Sequence, residues 1–288
     1  MKILFAADTH PYSAHALEVL SQLAENTWAD VTILGVVAVR PGAESMNDDP
    51  LVQSLNQYRE QFLKHWPDNA CPYAPEQLRA QWLELEKGLW QHLLVSTGGR
   101  KELAVRVRVG DPDLELVAAT RSEKSDLVVL GCTGGDQCLW ADNPQVPQKL
   151  VDGAECSILL VKEAQPVKTV FACFDESNVS QESLDMINQV ANAYNAQLQI
   201  VGLTKGGGIN AQVYSWLDVV YYYYKKKGLQ VNQRLVEIDA FETFINQEVS
   251  EGLLALWLGK KSVLNRFFKK KSVGRFVQSS RSSVLVLR

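Results

Sequence analysis

The sequence predicts an α/β protein made of two tandem units, each a doubly wound parallel sheet with helices on both faces. Two observations carry the prediction. The chain repeats itself without gaps at an offset of 167, and apolar runs of strand length alternate with amphipathic runs of helix length through both copies. The 288-residue length agrees with two domains of roughly 100–200 residues each.

In the repeat, residues 4–37 align with 171–204. Asp8, Ser13, Leu17, Gln22, Ala24, Ala29, Ile33 and Gly35 recur as Asp175, Ser180, Leu184, Gln189, Ala191, Ala196, Ile200 and Gly202. Each copy opens with a strand (Ile3–Ala7; Val170–Phe174) that ends at Asp, passes a polar turn and an amphipathic helix, and returns as a second strand (Val31–Val37; Leu198–Leu203). The first copy then gives a strand at Leu103–Val109, a helix at Asp113–Ser122, a buried strand at Asp126–Leu130 and a closing strand at Ser157–Val161. The second gives a helix at Gln212–Lys227 and strands at Leu229–Ile238, Leu253–Leu258 and Val284–Leu287. Because uninterrupted apolar strands require cover on both faces, these sheets are parallel.

Later in the repeat the offset falls to 128, pairing Leu130-Gly131 with Leu258-Gly259, so the first copy carries about 39 extra residues between Arg40 and Leu103. Turn residues there flank helices expected near 53–65 and 76–94; in the latter, Leu78, Trp82, Leu85, Leu89 and Leu93 recur at helical spacing. Trp82 and Trp90 read as core residues. The polar run Glu163-Ala164-Gln165-Pro166 reads as a linker, giving domains at 1–163, with an extra helical segment at about 44–100, and 167–288.

Charge is unevenly divided. The whole chain sums to -4, yet no acidic residue follows Glu251, and Lys260, Lys261, Arg266, Lys269, Lys270, Lys271, Arg275, Arg281 and Arg288 give residues 252–288 a charge of +9. The first 251 residues set 20 basic side chains against 33 acidic ones, or -13. The tail calls for an anionic partner, an acidic protein or an anionic membrane surface, or else is a solvated basic face. Nucleic acid is disfavoured because -13 repels it from the remaining surface.

Several chemistries find no residues. The five cysteines are scattered without a Cys-x-x-Cys pair, which reads as a reducing, cytoplasmic compartment with neither disulfide frame nor structural zinc. His10, His15, His65 and His92 make no metal motif, and no Gly-x-Ser-x-Gly elbow occurs. No apolar run approaches membrane-spanning length. Tyr221–Tyr224 followed by Lys225–Lys227 fits an aromatic-basic surface or, more simply, a helix end before Gly228.

The combination Val109-Gly110-Asp111-Pro112, a helix, then Ser125-Asp126-Leu127-Val128-Val129-Leu130-Gly131, with the opening Lys2–Asp8, resembles the universal stress protein family. The resemblance covers nearly all of 1–162 and, more faintly, 167–288, so the chain is similar to a tandem member. It implies two Rossmann-like domains related by a pseudo-two-fold axis and an adenine-nucleotide site for ATP or AMP, with no metal beyond nucleotide-associated magnesium. It implies a regulatory protein rather than an enzyme, with at most weak ATP hydrolysis. An internal pseudo-dimer through the closing strands is implied too, with a further homodimer left open.

The family binds phosphate through Gly-x-x-Gly, nine residues, then Gly-Ser or Gly-Thr, because glycine admits the backbone closely and a helix start offers free N–H groups. Gly131, Thr133 and Gly134 keep the first part, but Pro144-Gln145 replaces the second, and proline removes an N–H donor. In the second copy Gly259 is followed by Lys260-Lys261-Ser262, and the later pair becomes Lys271-Ser272. The resemblance assigns Asp8 and Asp175 to a ribose hydroxyl; a turn or N-cap role fits them equally. It assigns Val36 and, less securely, Leu203 to the base, and Gly110 to the turn of the Gly-Asp-Pro motif.

Overall fold

The computed structural model describes residues 1–39, 46–67, 70–73, 79–95, 99–163, 165–174, 179–204, 211–249, 252–258, 264 and 273–288. The first part of the chain runs β1 (Lys2–Ala6), α1 (Pro11–Thr27), β2 (Asp30–Val37), α2 (Pro50–Lys64), β3 (Arg79–Glu86), β4 (Leu89–Val95), β5 (Leu103–Val109), α3 (Pro112–Ser122), β6 (Leu127–Cys132), α4 (Gln145–Gly153) and β7 (Ser157–Lys162). The second runs β8 (Thr169–Phe174), α5 (Gln181–Ala193), β9 (Gln197–Thr204), α6 (Ala211–Lys226), β10 (Val231–Glu237), α7 (Phe241–Glu248), β11 (Gly252–Trp257), α8 (Val273–Gln278) and β12 (Ser283–Leu287).

Local chemistry sets the boundaries. Pro11, Pro50 and Pro112 open α1, α2 and α3, where the missing N–H is no loss. Asp49 caps α2 by accepting from the Leu51 and Val52 amides, and Ser180 caps α5 through the Ser183 amide.

All the strands form one twelve-stranded sheet in the order β10-β9-β8-β11-β12-β7-β6-β1-β2-β5-β4-β3. Its two halves are parallel internally from β10 to β12 and from β7 to β5. They meet at an antiparallel pair, β7 with β12, in the register Val284↔Leu160, Leu285↔Leu159 and Val286↔Ile158. Helix α1 packs on α5 across this seam on one face, and α4 on α8 on the other. A Cβ at Gly274 would lie 2.4 Å from the Gln148 carbonyl oxygen, so glycine permits the α4–α8 approach.

Strand alternation divides the core. Phe5, Val129, Leu159 and Leu285 face the α1–α5 layer, while Leu4, Val128, Ile158 and Val284 face the α3–α4–α7–α8 layer.

The 76–94 region departs from its expected helix. Residues 79–95 form the antiparallel hairpin β3–β4, joined to β5, so the extra segment contributes one α-helix, a 3-10 turn at Met46–Asp48 and two strands. Trp82 and Trp90 are buried as expected, but Leu85 and Leu93 point to solvent, 51% and 40% exposed. An eight-residue spacing fits helix and strand periods alike. Gly88 decides between them: at φ +80° it turns the chain, with its amide on Glu84 and its carbonyl on Val109.

The Tyr221–Lys227 run ends α6. Tyr224 is fully buried, and Lys225 and Lys227 lie over the rings of Tyr221 and Tyr223.

Two outcomes follow. Leu159→Ala, at the seam, lowers the unfolding free energy by about 2–5 kcal/mol, read from urea midpoints. Burial, with the Arg59 guanidinium nearby, lowers the His92 imidazole from its ordinary 6.5 to about 4. The unfolded chain therefore takes up the proton first, so stability present above about 6.5 is lost as pH falls towards about 4. Relative to His92→Gln, the wild-type urea midpoint falls across that window and holds steady above pH ~7.

Candidate functional site

In a doubly wound sheet the ligand crevice lies beyond the carboxyl ends of the strands where strand order reverses. In the first half, β1 is flanked by β2 on one side and β6 on the other, which places the reversal between β1 and β6. Asp8 follows β1, while Gly131, Thr133 and Gly134 end or follow β6, so the topology brings these four to one edge. Val36, near the end of β2, and Gly110, just after β5, sit along the same edge. The second half reverses between β8 and β11. Its residues Asp175, Gly259, Lys260, Lys261, Ser262 and Ser272, together with Lys269–Lys271, lie outside the described residues.

The first-half edge is occupied by the chain itself. Asp8 is 5% exposed, and its carboxylate meets five donor groups. Oδ1 accepts from the Ser13 hydroxyl at 2.8 Å and the His10 amide at 3.0 Å. Oδ2 accepts from the Tyr12 hydroxyl and the Ala141 amide (3.0 Å), and lies 3.0 Å from His10 Nδ1. Two oxygens offer about four lone-pair sites, so the carboxylate is saturated. Burial, reinforced by the bond to Asp8, pushes the Tyr12 phenol far above its usual range and keeps it a donor. Tyr12 also accepts from the Ala141 amide at 2.7 Å and stacks on His10. The bond from the His10 amide makes Asp8 a turn residue; the N-cap position of α1 is His10.

The loop after β6 folds over this cluster. Thr133 and Leu139 pair through their backbones, and the Thr133 hydroxyl accepts from Leu139 and donates to Gln137, leaving no free donor for phosphate. Contrary to the expectation of unpaired cysteines, Cys132 and Cys138 are joined by a disulfide. The tight return of 133–139 brings their Cα atoms to 5.2 Å, within bridging range. Cys71, Cys156 and Cys173 are not disulfide-bonded. Trp140 is fully buried, in the same core layer as Val36 and Cys138.

Trp140 and Asn143 exchange backbone bonds around Ala141 and Asp142, both at positive φ (47° and 59°). This is a two-residue turn of the type that prefers glycine or asparagine, and an alanine held there costs on the order of 1–3 kcal/mol unless its surroundings impose it. The bonds to Asp8 and Tyr12 impose it. At the start of α4, Pro144 has no N–H, and the Gln145 amide is taken by the Asn143 side chain.

The glycines serve packing. A Cβ at Gly131 would meet the Tyr12 carbonyl oxygen at 2.3 Å, so glycine is what lets α1 lie against β6. Gly134 is exposed and faces the Glu163 carbonyl, and at Gly110 a Cβ would press on Glu115. The sequence reading missed Tyr12, His10, Ala141 and the disulfide. Their only signal was the pair Cys132 and Cys138, the first inside the Gly-x-x-Gly motif and the second four residues after it.

A cavity of about 1070 Å3 lies elsewhere, at the opposite edge of the first half, where Asp126 precedes β6 and Ser157 opens β7. Its walls mix Arg121, Lys124 and Arg288 with Glu155, Glu182 and Asp185, and none of the described candidate residues borders it. Among the described residues, no group of three or more His, Cys, Asp or Glu side chains could hold a metal ion. No helix there is long and apolar enough to cross a membrane.

A mostly parallel, doubly wound sheet with helices on both faces defines a Rossmann-like α/β protein. The model of the universal stress protein family matches residues 1–162, more than half of the chain, and the chain belongs to that family. No curated protein sequence matches it. A solved universal stress protein from Archaeoglobus fulgidus DSM 4304 is similar over 100% of this chain and 98% of its own, at 14% identity and a TM-score of 0.61. A functionally unknown protein from Pseudomonas aeruginosa PAO1 covers 99% of this chain with 92% of its own, at 15% identity and a TM-score of 0.55. The cytoplasmic domain of a prokaryotic cation chloride cotransporter is similar over 99% of this chain and 94% of its own, at 10% identity and a TM-score of 0.52. These likenesses establish the fold.

Gly131→Ala forces α1 off β6 and lowers the unfolding free energy by about 1–3 kcal/mol. Tyr12→Phe, which strips a buried donor from Asp8 and an acceptor from Ala141, costs about 1–3 kcal/mol. Urea midpoints measure both.

Proposed function

We propose that this is a regulatory member of the family in which adenine nucleotide, ATP or AMP, is bound by the second half, while the first-half crevice is closed by its own side chains. The observation that carries the reading is the saturated Asp8: a ribose hydroxyl would have to displace one of five donor groups already in place.

The second half lacks the residues that do the closing. At the repeat offset of 167, Tyr12 corresponds to Val179 and His10 to Ser177; at 128, Cys132 corresponds to Lys260. Its strand reversal is intact, with Asp175 following β8 and Gly259 following β11 in sequence. The basic residues of the tail also divide. Arg281 pairs with Asp136 and Arg288 donates to the Val151 carbonyl, so both are committed to the fold. Lys260, Lys261, Arg266 and Lys269–Lys271 fall in the stretch of sequence that aligns with the family's phosphate-binding segment, and lysine meets phosphate as a point charge. The fold and that loop support nucleotide-dependent signalling; chemistry on the nucleotide has no residues assigned to it.

Calorimetric titration of the full chain with ATP and AMP tests this. The expected result is one binding event, weakened on the order of tenfold or more by Lys260→Glu with Lys261→Glu, and unchanged by Asp8→Asn. No heat at millimolar nucleotide withdraws the reading in favour of a scaffold that docks an acidic protein or anionic membrane surface through its basic loop. Weakening by Asp8→Asn alone would move the site to the first half.

A further inference from the structure

Three features meet above the β1–β6 edge that nucleotide binding by the second half leaves unused. The first is the Cys132–Cys138 disulfide, which closes residues 133–137 into a ring and fixes the chain two residues before Trp140 and three before Ala141. The second is the strained turn at Ala141–Asp142, held down by Asp8 and Tyr12. The third is Lys162, 2% exposed, which is the register partner of Cys132 on the neighbouring strand and donates to the Gly135 carbonyl inside the disulfide loop. Burial, partly offset by Asp136, lowers the Lys162 ammonium to about 8.

We infer that Cys132 and Cys138 form a reversible redox site, a substrate for a dithiol reductant, whose disulfide locks the cap over Asp8 and whose reduction opens the first-half crevice. This rests on the reading that the first-half crevice is closed by its own chain.

The exchange balances. A thiolate of the dithiol attacks one sulfur of the pair, the Cys132–Cys138 bond breaks, and the other cysteine leaves as a thiolate. The second thiolate of the reductant then attacks the mixed disulfide and releases the remaining cysteine. Two electrons and two protons pass to the protein, and the reductant departs as a cyclic disulfide. The Lys162 ammonium beside the loop favours the leaving thiolate.

Cys132 and Cys138 are both buried while residues 134–137 between them are exposed, so attack proceeds through movement of that stretch. Once the bridge is cut, the strained turn loses its covalent anchor and Asp8 regains free acceptor positions.

The lock also reaches the other half. The Cys138 amide donates to the Gln278 carbonyl at 2.8 Å, and Asp136 pairs with Arg281. Gln278 ends α8, and α8 begins immediately after Ser272, the last residue of the basic stretch 260–272 in the sequence. One six-residue helix therefore separates the disulfide from the loop proposed to hold phosphate.

The experiment compares the full chain in three forms: air-oxidised, treated with dithiothreitol, and Cys138→Ser. Alkylation under denaturing conditions, with mass analysis, is expected to label three cysteines in the first form and five in the second. Hydrogen exchange at residues 139–143 is expected to quicken on the order of tenfold or more in the reduced and variant forms, with α1 amides unchanged. Five labelled cysteines without reductant, equal exchange in all three forms, or equal acceleration of α1 each overturns the proposal. If Cys138→Ser fails to fold, the reduced wild type decides. None of these readouts uses nucleotide, so a failed ATP titration sinks the second-half site and leaves the redox result standing.

Discussion

Three register pairs between β7 and β12 hold the molecule's design together. Each half by itself would end in a fully buried, apolar strand with an unpaired edge, a template for aggregation. Pairing the two edges antiparallel turns two sheets into one and fixes where everything else stands. The α1–α5 and α4–α8 contacts follow from it, and with α8 the bonds that tie Cys138 and Asp136 to the far half.

Within that frame the two copies have diverged by opposite routes. The first keeps glycines at Gly131 and Gly134 and spends them on helix packing and loop shape, filling the crevice with Asp8, Tyr12, His10 and the Ala141 amide. The second loses glycines and gains lysines. In the first copy, any ligand at Asp8 would have to displace bonds already made.

Much of the fold was legible because it rests on patterns that local physics enforces. Apolar runs such as Val128–Leu130 and Leu253–Leu256 have no stable place except a covered parallel sheet, and the 167-residue offset supplied the connectivity. The β3–β4 hairpin escaped because leucines at 78, 85, 89 and 93 satisfy a helical period, and only Gly88 spoke against it. The Asp8 and Gly131 motifs fall at the switch-point edge of the first half, yet the way the chain closes over that edge was not legible. It depends on a contact between residues 133 apart in sequence, Asp8 with Ala141, and on a disulfide across a five-residue gap that no metal or redox spacing rule singles out.

The antiparallel seam has a geometric consequence for traffic at the two crevices. Strands of the two halves run in opposite directions, so the carboxyl-end edges point to opposite sides of the sheet. No single small ligand can bridge them, and a partner lying flat on one edge leaves the other in solvent. The two carboxyl-end edges thus lie at opposite ends of the strands, and α8 packs against α4 across the seam between the halves.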